Sequence, residues 1–64
     1  MWVVIYMASG EKEAKSIETL LTNEGFLVKL QPAMTQNGEA KIFNIQVISS
    51  EMKEARKVMA EHGY

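Results

Sequence analysis

The dipeptide Asn37-Gly38 is the strongest structural signal in this sequence, because both residues tolerate the positive φ angles of a two-residue hairpin turn. Such a turn sets Leu30 opposite Ile45 and Val28 opposite Val47. The apolar residues on either side of the turn then fall on one face of the hairpin, an agreement that a shift of one residue would destroy; they are Phe26, Val28 and Leu30 before the turn and Phe43, Ile45 and Val47 after it. The sequence therefore predicts a second strand that begins at Phe26 and a third strand over Ile42–Ile48.

One part of this hairpin is predicted to be irregular. The same register places Pro32 opposite Phe43, and proline has no N–H to donate to a neighbouring strand. This part of the second strand must therefore lie at a sheet edge. The sequence sets no conformation for Pro32 to Gln36, and we expect the hairpin to be looser from Pro32 to Thr35.

Two helices are predicted by apolar residues at helical spacing, and the two share one pattern. Each ends in a glycine followed by an aromatic residue, Gly25-Phe26 and Gly63-Tyr64, which is typical of a Schellman stop. Ser9 is the predicted N-cap of the first helix, and Ser49-Ser50 cap the second, which runs from about Glu51 to His62. The apolar stripes are Ala14, Ile17, Leu20 and Leu21 in the first helix and Met52, Ala55, Val58 and Met59 in the second.

The segment Trp2–Met7 is β-branched and aromatic, and it is apolar on both faces, which predicts a first strand buried from two sides. The resulting order, βαββα, is that of a ferredoxin-like α+β domain that lacks its last strand. A right-handed crossover between the first two strands places the third strand between them. We therefore predict one domain over residues 1–64, with a three-stranded sheet of order 1-3-2 and both helices on one face.

The missing fourth strand would have covered the outer edge of the first strand. This edge carries no charge from Trp2 to Gly10, and no lysine, proline or bulge that would block pairing is visible in the sequence. The sheet face opposite the helices is also predicted to be apolar. The six residues expected on it, as an interaction surface, are Trp2, Val4, Tyr6, Leu27, Ile42 and Ile48.

The size of the chain favours assembly. A domain of 64 residues gains little from its core, and domains of this size commonly add disulfides, a metal or a partner chain. The chain has no cysteine and one histidine, so it cannot build a disulfide or a structural zinc site. We expect a homodimer, formed through the first strand's edge or the open sheet face, that binds a protein partner or a small effector. The alternative is a monomer in which the chain's own tail or a loop shields the first strand.

No catalytic set is recognisable, and we expect no enzyme activity, cofactor or metal. His62 is the only imidazole, and no side chain is placed to form a triad or a metal site with it. The net charge of −1 lacks the basic excess of nucleic-acid binders. Stacking of single-stranded RNA on Trp2 and Tyr6 remains an alternative, although Lys29 is the only cation expected on that face.

A second alternative is a ligand-sensing domain. The segment Gly10–Ser16 follows a strand and opens a helix, but it lacks the second glycine of a phosphate-binding loop. Backbone amides at the start of the helix are a candidate site for a small anion or amino acid. The candidate residues are Ser9, Gly10, Glu11 and Lys12.

The cytoplasm is the expected location. The longest apolar run, Trp2 to Ala8, is far below the ~20 residues of a membrane-spanning helix, and it has neither a basic leader nor a cleavage site.

The whole chain resembles a family of very small bacterial domains of unknown function that carry the label of prokaryotic signal-transducing proteins. The residues that carry the resemblance are Trp2-Val3-Val4-Ile5-Tyr6, Leu20-Leu21-Thr22-Asn23-Glu24-Gly25-Phe26, Leu27-Val28-Lys29-Leu30 and Ile45-Gln46-Val47. The resemblance implies the βαββα fold and a role in signalling, and it transfers no catalytic residue.

Overall fold

The computed structural model describes all 64 residues and contains a three-stranded antiparallel sheet of order β1-β3-β2 with two helices. This confirms the predicted α+β class, the βαββα order and the strand order of a ferredoxin-like domain without its fourth strand. In chain order, the elements are β1 (Trp2–Ser9), α1 (Gly10–Asn23), β2 (Lys29–Gln36), β3 (Glu39–Ile48), a 3₁₀ turn (Ser49–Glu51) and α2 (Met52–Glu61).

Both helices cover the same face of the sheet, as predicted, and the core lies between them and β3. The buried residues include Ile17 and Leu21 of α1 together with Ile45 and Val47 of β3, all without solvent exposure. From α2, Ala55 and Met59 join them. The predicted helical stripes are therefore the core stripes, with Leu20, Met52 and Val58 half-buried at their margins.

The two helices end in the same way, as the repeated glycine–aromatic pattern predicts. At the end of α1 the Phe26 N–H donates to the Leu21 carbonyl at 3.0 Å, and at the end of α2 the Tyr64 N–H donates to the Met59 carbonyl at 2.9 Å. Gly25 has a φ of 94°, which glycine adopts without the steric cost that a Cβ brings. The same local geometry therefore stops both helices.

Replacing Gly25 with alanine is expected to destabilise the domain by about 1 kcal/mol, because an L-residue is strained at this positive φ. A Cβ at Gly25 meets no atom within 4 Å, so the cost comes from the backbone alone. Gly25→Asn is the matched control and should cost less, since asparagine tolerates this conformation better. Urea unfolding measures both changes, and equal stability of the alanine variant and the unaltered chain would contradict the Schellman account.

The hairpin has the predicted turn and register. Asn37 and Gly38 have φ angles of 55° and 75°, the positive values of a two-residue hairpin turn, and Leu30 pairs with Ile45. Pro32 lies opposite Phe43, and the register shifts between Pro32 and Met34 and again between Met34 and Thr35. These shifts confirm the predicted loosening of β2.

The boundaries of four elements differ from the predicted ones. β2 begins at Lys29 rather than Phe26, since the chain leaves the Schellman stop through residues 26–28, and the predicted pairing of Val28 with Val47 is absent from the ladder. β1 continues to Ser9, and β3 starts earlier, at Glu39. α2 is shorter than predicted, because the 3₁₀ turn precedes it.

Of the predicted serine caps, Ser9 is confirmed in position and Ser49-Ser50 are wrong. Ser9 is the N-cap of α1, but its side chain makes no capping hydrogen bond; its backbone N–H instead donates to the Glu13 Oε1 atom at 2.8 Å. Ser49 and Ser50 lie in the 3₁₀ turn, and Glu51 is the N-cap of α2. At the start of α1, the Glu13 side chain reaches back over the first turn, which places a negative charge where the helix dipole favours one.

Candidate interaction surface

The outer edge of β1, meaning the side of Trp2–Ser9 that faces away from β3, has no neighbouring strand. β1 pairs with β3 alone, and the helices pack against the sheet's face rather than against this edge. No charged side chain lies along the strand. The central feature predicted from the sequence, an uncovered apolar edge strand, is therefore present.

β1 contains a β-bulge, which corrects the expectation of an uninterrupted edge. Val4 pairs with Gln46 and Tyr6 with Ile45, so Ile5 is the extra residue. Ile5 and Tyr6 both pack against the core, and the alternation of faces changes phase there. Sequence reasoning missed the bulge because the strand is apolar on both faces, so its hydropathy pattern does not reveal a change of phase.

The bulge moves Tyr6 to the helix side of the sheet, so the prediction that Tyr6 lies on the open face is wrong. Its ring meets the Tyr64 ring edge-to-face, with centroids 5.6 Å apart and an interplanar angle of 82°. Trp2 and Tyr6 therefore form no joint platform for stacked bases. Leu27 is also misplaced by the prediction: it is 65% exposed but lies in the connection before β2, outside the sheet.

Four of the six predicted residues do lie on the open face, the sheet surface opposite the helices; they are Trp2, Val4, Ile42 and Ile48. Trp2 pairs with Ile48, which places the two side chains side by side. Because of the bulge, Met7 joins this face and is 61% exposed. The apolar part of the open face therefore follows β1, next to the uncovered edge.

The centre of the open face is polar, which the sequence analysis did not predict. Gln46 of β3 is only 8% exposed, and its Nε2 donates to the Oε1 of Gln31 on β2 at 2.6 Å. Asn44 lies on the same face, paired with Met7 and Gln31. The alternation of Asn44 and Gln46 with the apolar stripe of β3 is the signal that identifies these positions.

Lys29 crosses the open face above the central strand. It pairs with Gln46 on β3, yet its Nζ lies 5.5 Å from the centroid of the Trp2 ring on β1, a cation–π contact. The face of the only tryptophan already has a cation of its own chain beside it, so a stacked base would have to displace Lys29.

Removing Lys29 is expected to change the fluorescence of Trp2, the only tryptophan of the chain. Lys29→Met keeps the apolar stem and removes the charge, at a cost of about 0.5 kcal/mol in stability. Lys29→Ala also removes the stem, and we expect it to uncover the ring and shift its emission to longer wavelength. Emission spectra of both variants that match the unaltered chain would contradict the cation–π contact.

The direction of the backbone hydrogen bonds along β1 follows from its two ends. The Met1 carbonyl accepts a hydrogen bond from the Ser49 N–H at 2.7 Å, so the backbone groups of Met1 point toward β3. Because the backbone groups of successive residues alternate in direction along an antiparallel strand, those of Trp2 and Val4 point away from β3. At the other end, the Ser9 N–H donates to Glu13 rather than to β3. Since Met7 shares the face of Ser9, its backbone groups also point outward. The outer edge therefore offers free N–H and C=O groups at Trp2, Val4 and Met7.

The opposite edge of the sheet, formed by β2, is blocked. Pro32 interrupts its row of donors, and the two register shifts that follow distort the strand. Lys29 adds a charge near its start. A strand could therefore add to this sheet at β1 far more readily than at β2.

The helix start predicted to bind a small anion is already engaged in part. Ser9 ends β1, Gly10 begins α1, and Glu11 and Lys12 are exposed on its first turn. Glu13 supplies a carboxylate that accepts the Ser9 amide. The surface has no concave pocket, and no three histidine, aspartate or glutamate side chains are grouped to hold a metal ion.

No known protein family, curated protein or solved structure matches this chain. Neither helix has the length and apolar character needed to cross a bilayer.

Proposed function

We propose that this chain is a non-enzymatic, cytoplasmic interaction module that works as a homodimer, assembled by antiparallel pairing of two β1 edges. The observation that carries the proposal is the uncovered outer edge of β1, with its free backbone groups and no charge. An edge of this kind is a template for another strand. When two copies are related by a two-fold axis, the free N–H and C=O groups of each β1 edge bond to those of the other, so both copies use the same surface.

The blocked β2 edge explains why assembly stops at two chains. Joining two β1 edges gives a continuous sheet of order β2-β3-β1-β1-β3-β2, in which both outer strands are β2. Pro32 and the register shifts of β2 oppose further pairing. The β1 edge thus pairs with one further copy, and the β2 edges prevent the sheet from growing into a fibre.

The charge and size of the chain favour a second copy over other molecules as the partner of the β1 edge. The side chains of β1 carry no charge, and the Glu13 carboxylate lies only at the end of the edge, so two copies meet little repulsion along it. The core contains only eight buried apolar residues. Pairing adds backbone hydrogen bonds and buries part of Val4 and Met7, which a domain of this size otherwise leaves in water.

The joined open faces are the surface that we propose for a protein partner. In the dimer, Val4 and Met7 of both copies lie close to the two-fold axis, and Trp2 lies farther out. The amide groups of Gln31 and Gln46 occupy the centre of each half. An apolar strip flanked by uncharged amides suits a partner surface of mixed apolar and polar character better than it suits nucleic acid.

Sedimentation velocity over a range from micromolar to millimolar chain concentration tests the assembly. We expect a species of twice the 7.2 kDa chain mass, with a dissociation constant in the micromolar range, because edge pairing buries less area than a standard interface. A single 7.2 kDa species at every concentration would overturn the proposal.

A further inference from the structure

We infer that the two copies of β1 pair in one register, with the two-fold axis between Ile5 and Tyr6, so that Val4 of one copy lies opposite Met7 of the other. This inference rests on the proposed dimer and specifies how its edge is recognised. It follows from the position of the bulge and from the order of faces along the strand.

The order of open-face and helix-side residues along β1 is the same from either end of the strand. The open-face residues are Trp2, Val4, Met7 and Ser9, and the helix-side residues are Val3, Ile5, Tyr6 and Ala8. A two-fold axis through the centre of the strand therefore places every open-face residue of one copy opposite an open-face residue of the other. A shift of the axis to Met7, for example, would set Ile5 on the helix side against Ser9 on the open side.

The hydrogen-bonding groups obey the same symmetry. Val4 and Met7 both point their backbone groups outward, and the two bulge residues between them turn inward. In the inferred register, the N–H and C=O of each Val4 meet those of Met7 in the other copy. This gives four hydrogen bonds about the axis, with the bulges facing each other in the middle.

Beyond this centre, Trp2 lies opposite Ser9 of the second copy. The Ser9 N–H is already bound to Glu13, so this pair retains one bond, from the Trp2 N–H to the Ser9 carbonyl. The Glu13 carboxylate thereby marks the end of the paired segment. The paired segment therefore runs from Trp2 to Ser9 and does not extend into α1.

The bulge also selects the partner. A strand without a bulge can pair with β1 only on one side of Ile5, because the alternation of the outward N–H and C=O groups changes phase there. A strand with its own bulge at the matching position can follow the whole edge. A second copy of β1 has its bulge at the matching position, so the bulge that hinders pairing with regular strands makes the edge specific for another copy of itself.

Cysteine cross-linking between two different variants tests the register, since the natural chain has no cysteine. In the inferred dimer, the Cα atoms of Val4 and Met7 of the other copy are about 5.5 Å apart, as in any hydrogen-bonded pair, which lies within the range that a disulfide spans. Two copies of Val4 are offset by three residues, or about 10 Å along the strand, beyond that range.

Under mild oxidation, an equimolar mixture of Val4→Cys and Met7→Cys chains should therefore give a covalent heterodimer as its main product, and each variant alone should give only traces. Both positions are exposed, so the substitutions should leave the fold intact. Trp2→Cys mixed with Ser9→Cys provides a second pair that is expected to cross-link for the same reason. Mass spectrometry of the products distinguishes heterodimers from homodimers.

Each other outcome contradicts a different statement. Cross-linking of Met7→Cys with itself, without heterodimer, overturns the register and leaves the edge dimer standing. A dimer in sedimentation that neither mixture cross-links overturns the inference and moves the interface to the open face. A monomer in sedimentation overturns the proposed function itself.

Discussion

A Val4→Pro chain is expected to fold and to remain a monomer at concentrations at which the unaltered chain is a dimer. The Val4 N–H points away from β3, so proline removes a donor of the outer edge without breaking a bond of the β1–β3 ladder. By the symmetry of the edge, the loss occurs twice in each dimer. We expect the dissociation constant to rise by at least about 100-fold, since two bonds of about 1 kcal/mol each and the local fit are lost together.

Val3→Pro is the matched control, one residue away. The Val3 N–H points toward Val47 of the central strand, so the same substitution there removes a ladder bond and should unfold much of the domain. Circular dichroism reports folding, and sedimentation velocity reports assembly. A folded Val4→Pro chain that dimerises like the unaltered one would contradict pairing through this edge.

Replacing Ile17 with alanine is expected to cost about 3 kcal/mol and to leave a large part of the population unfolded. Ile17 has no solvent exposure and packs between α1 and the central strand, so the truncated side chain leaves a cavity. A domain of this length has a total stability of only about 3 to 10 kcal/mol. Urea unfolding measures the loss.

Leu27→Ala is the control for this substitution, because it removes a large apolar side chain that is 65% exposed. It should change the free energy of unfolding by less than about 0.5 kcal/mol. A similar cost at both positions would contradict the assignment of the core to the helix side of the sheet.

The sequence allows much of the fold to be predicted because its local signals agree with one another. The Asn37-Gly38 turn sets the hairpin register, and the glycine–aromatic stops set where both helices end. Helical spacing identifies the core side of each helix. These are short-range effects of backbone conformation and burial, and each can be read without knowing the rest of the structure.

The interaction surface could be predicted only in part, because its details depend on contacts between distant segments. The bulge at Ile5 reverses the faces of Tyr6 and Met7, and nothing in an apolar run shows where such a reversal falls. Lys29 reaches Trp2 across the sheet, a contact that requires the strand order and the register together. The uncovered edge itself was predictable, since it follows from the element order alone.

Amide hydrogen exchange at Val4 and Met7, measured by NMR as a function of chain concentration, tests most directly whether a second copy covers the outer edge of β1. These N–H groups face water in the single chain and are bonded in the dimer, so their protection should rise with concentration. The Ala8 amide, which faces β3, is the internal control and should be protected at every concentration. Fast exchange at Val4 and Met7 that stays the same up to millimolar concentration would contradict the account.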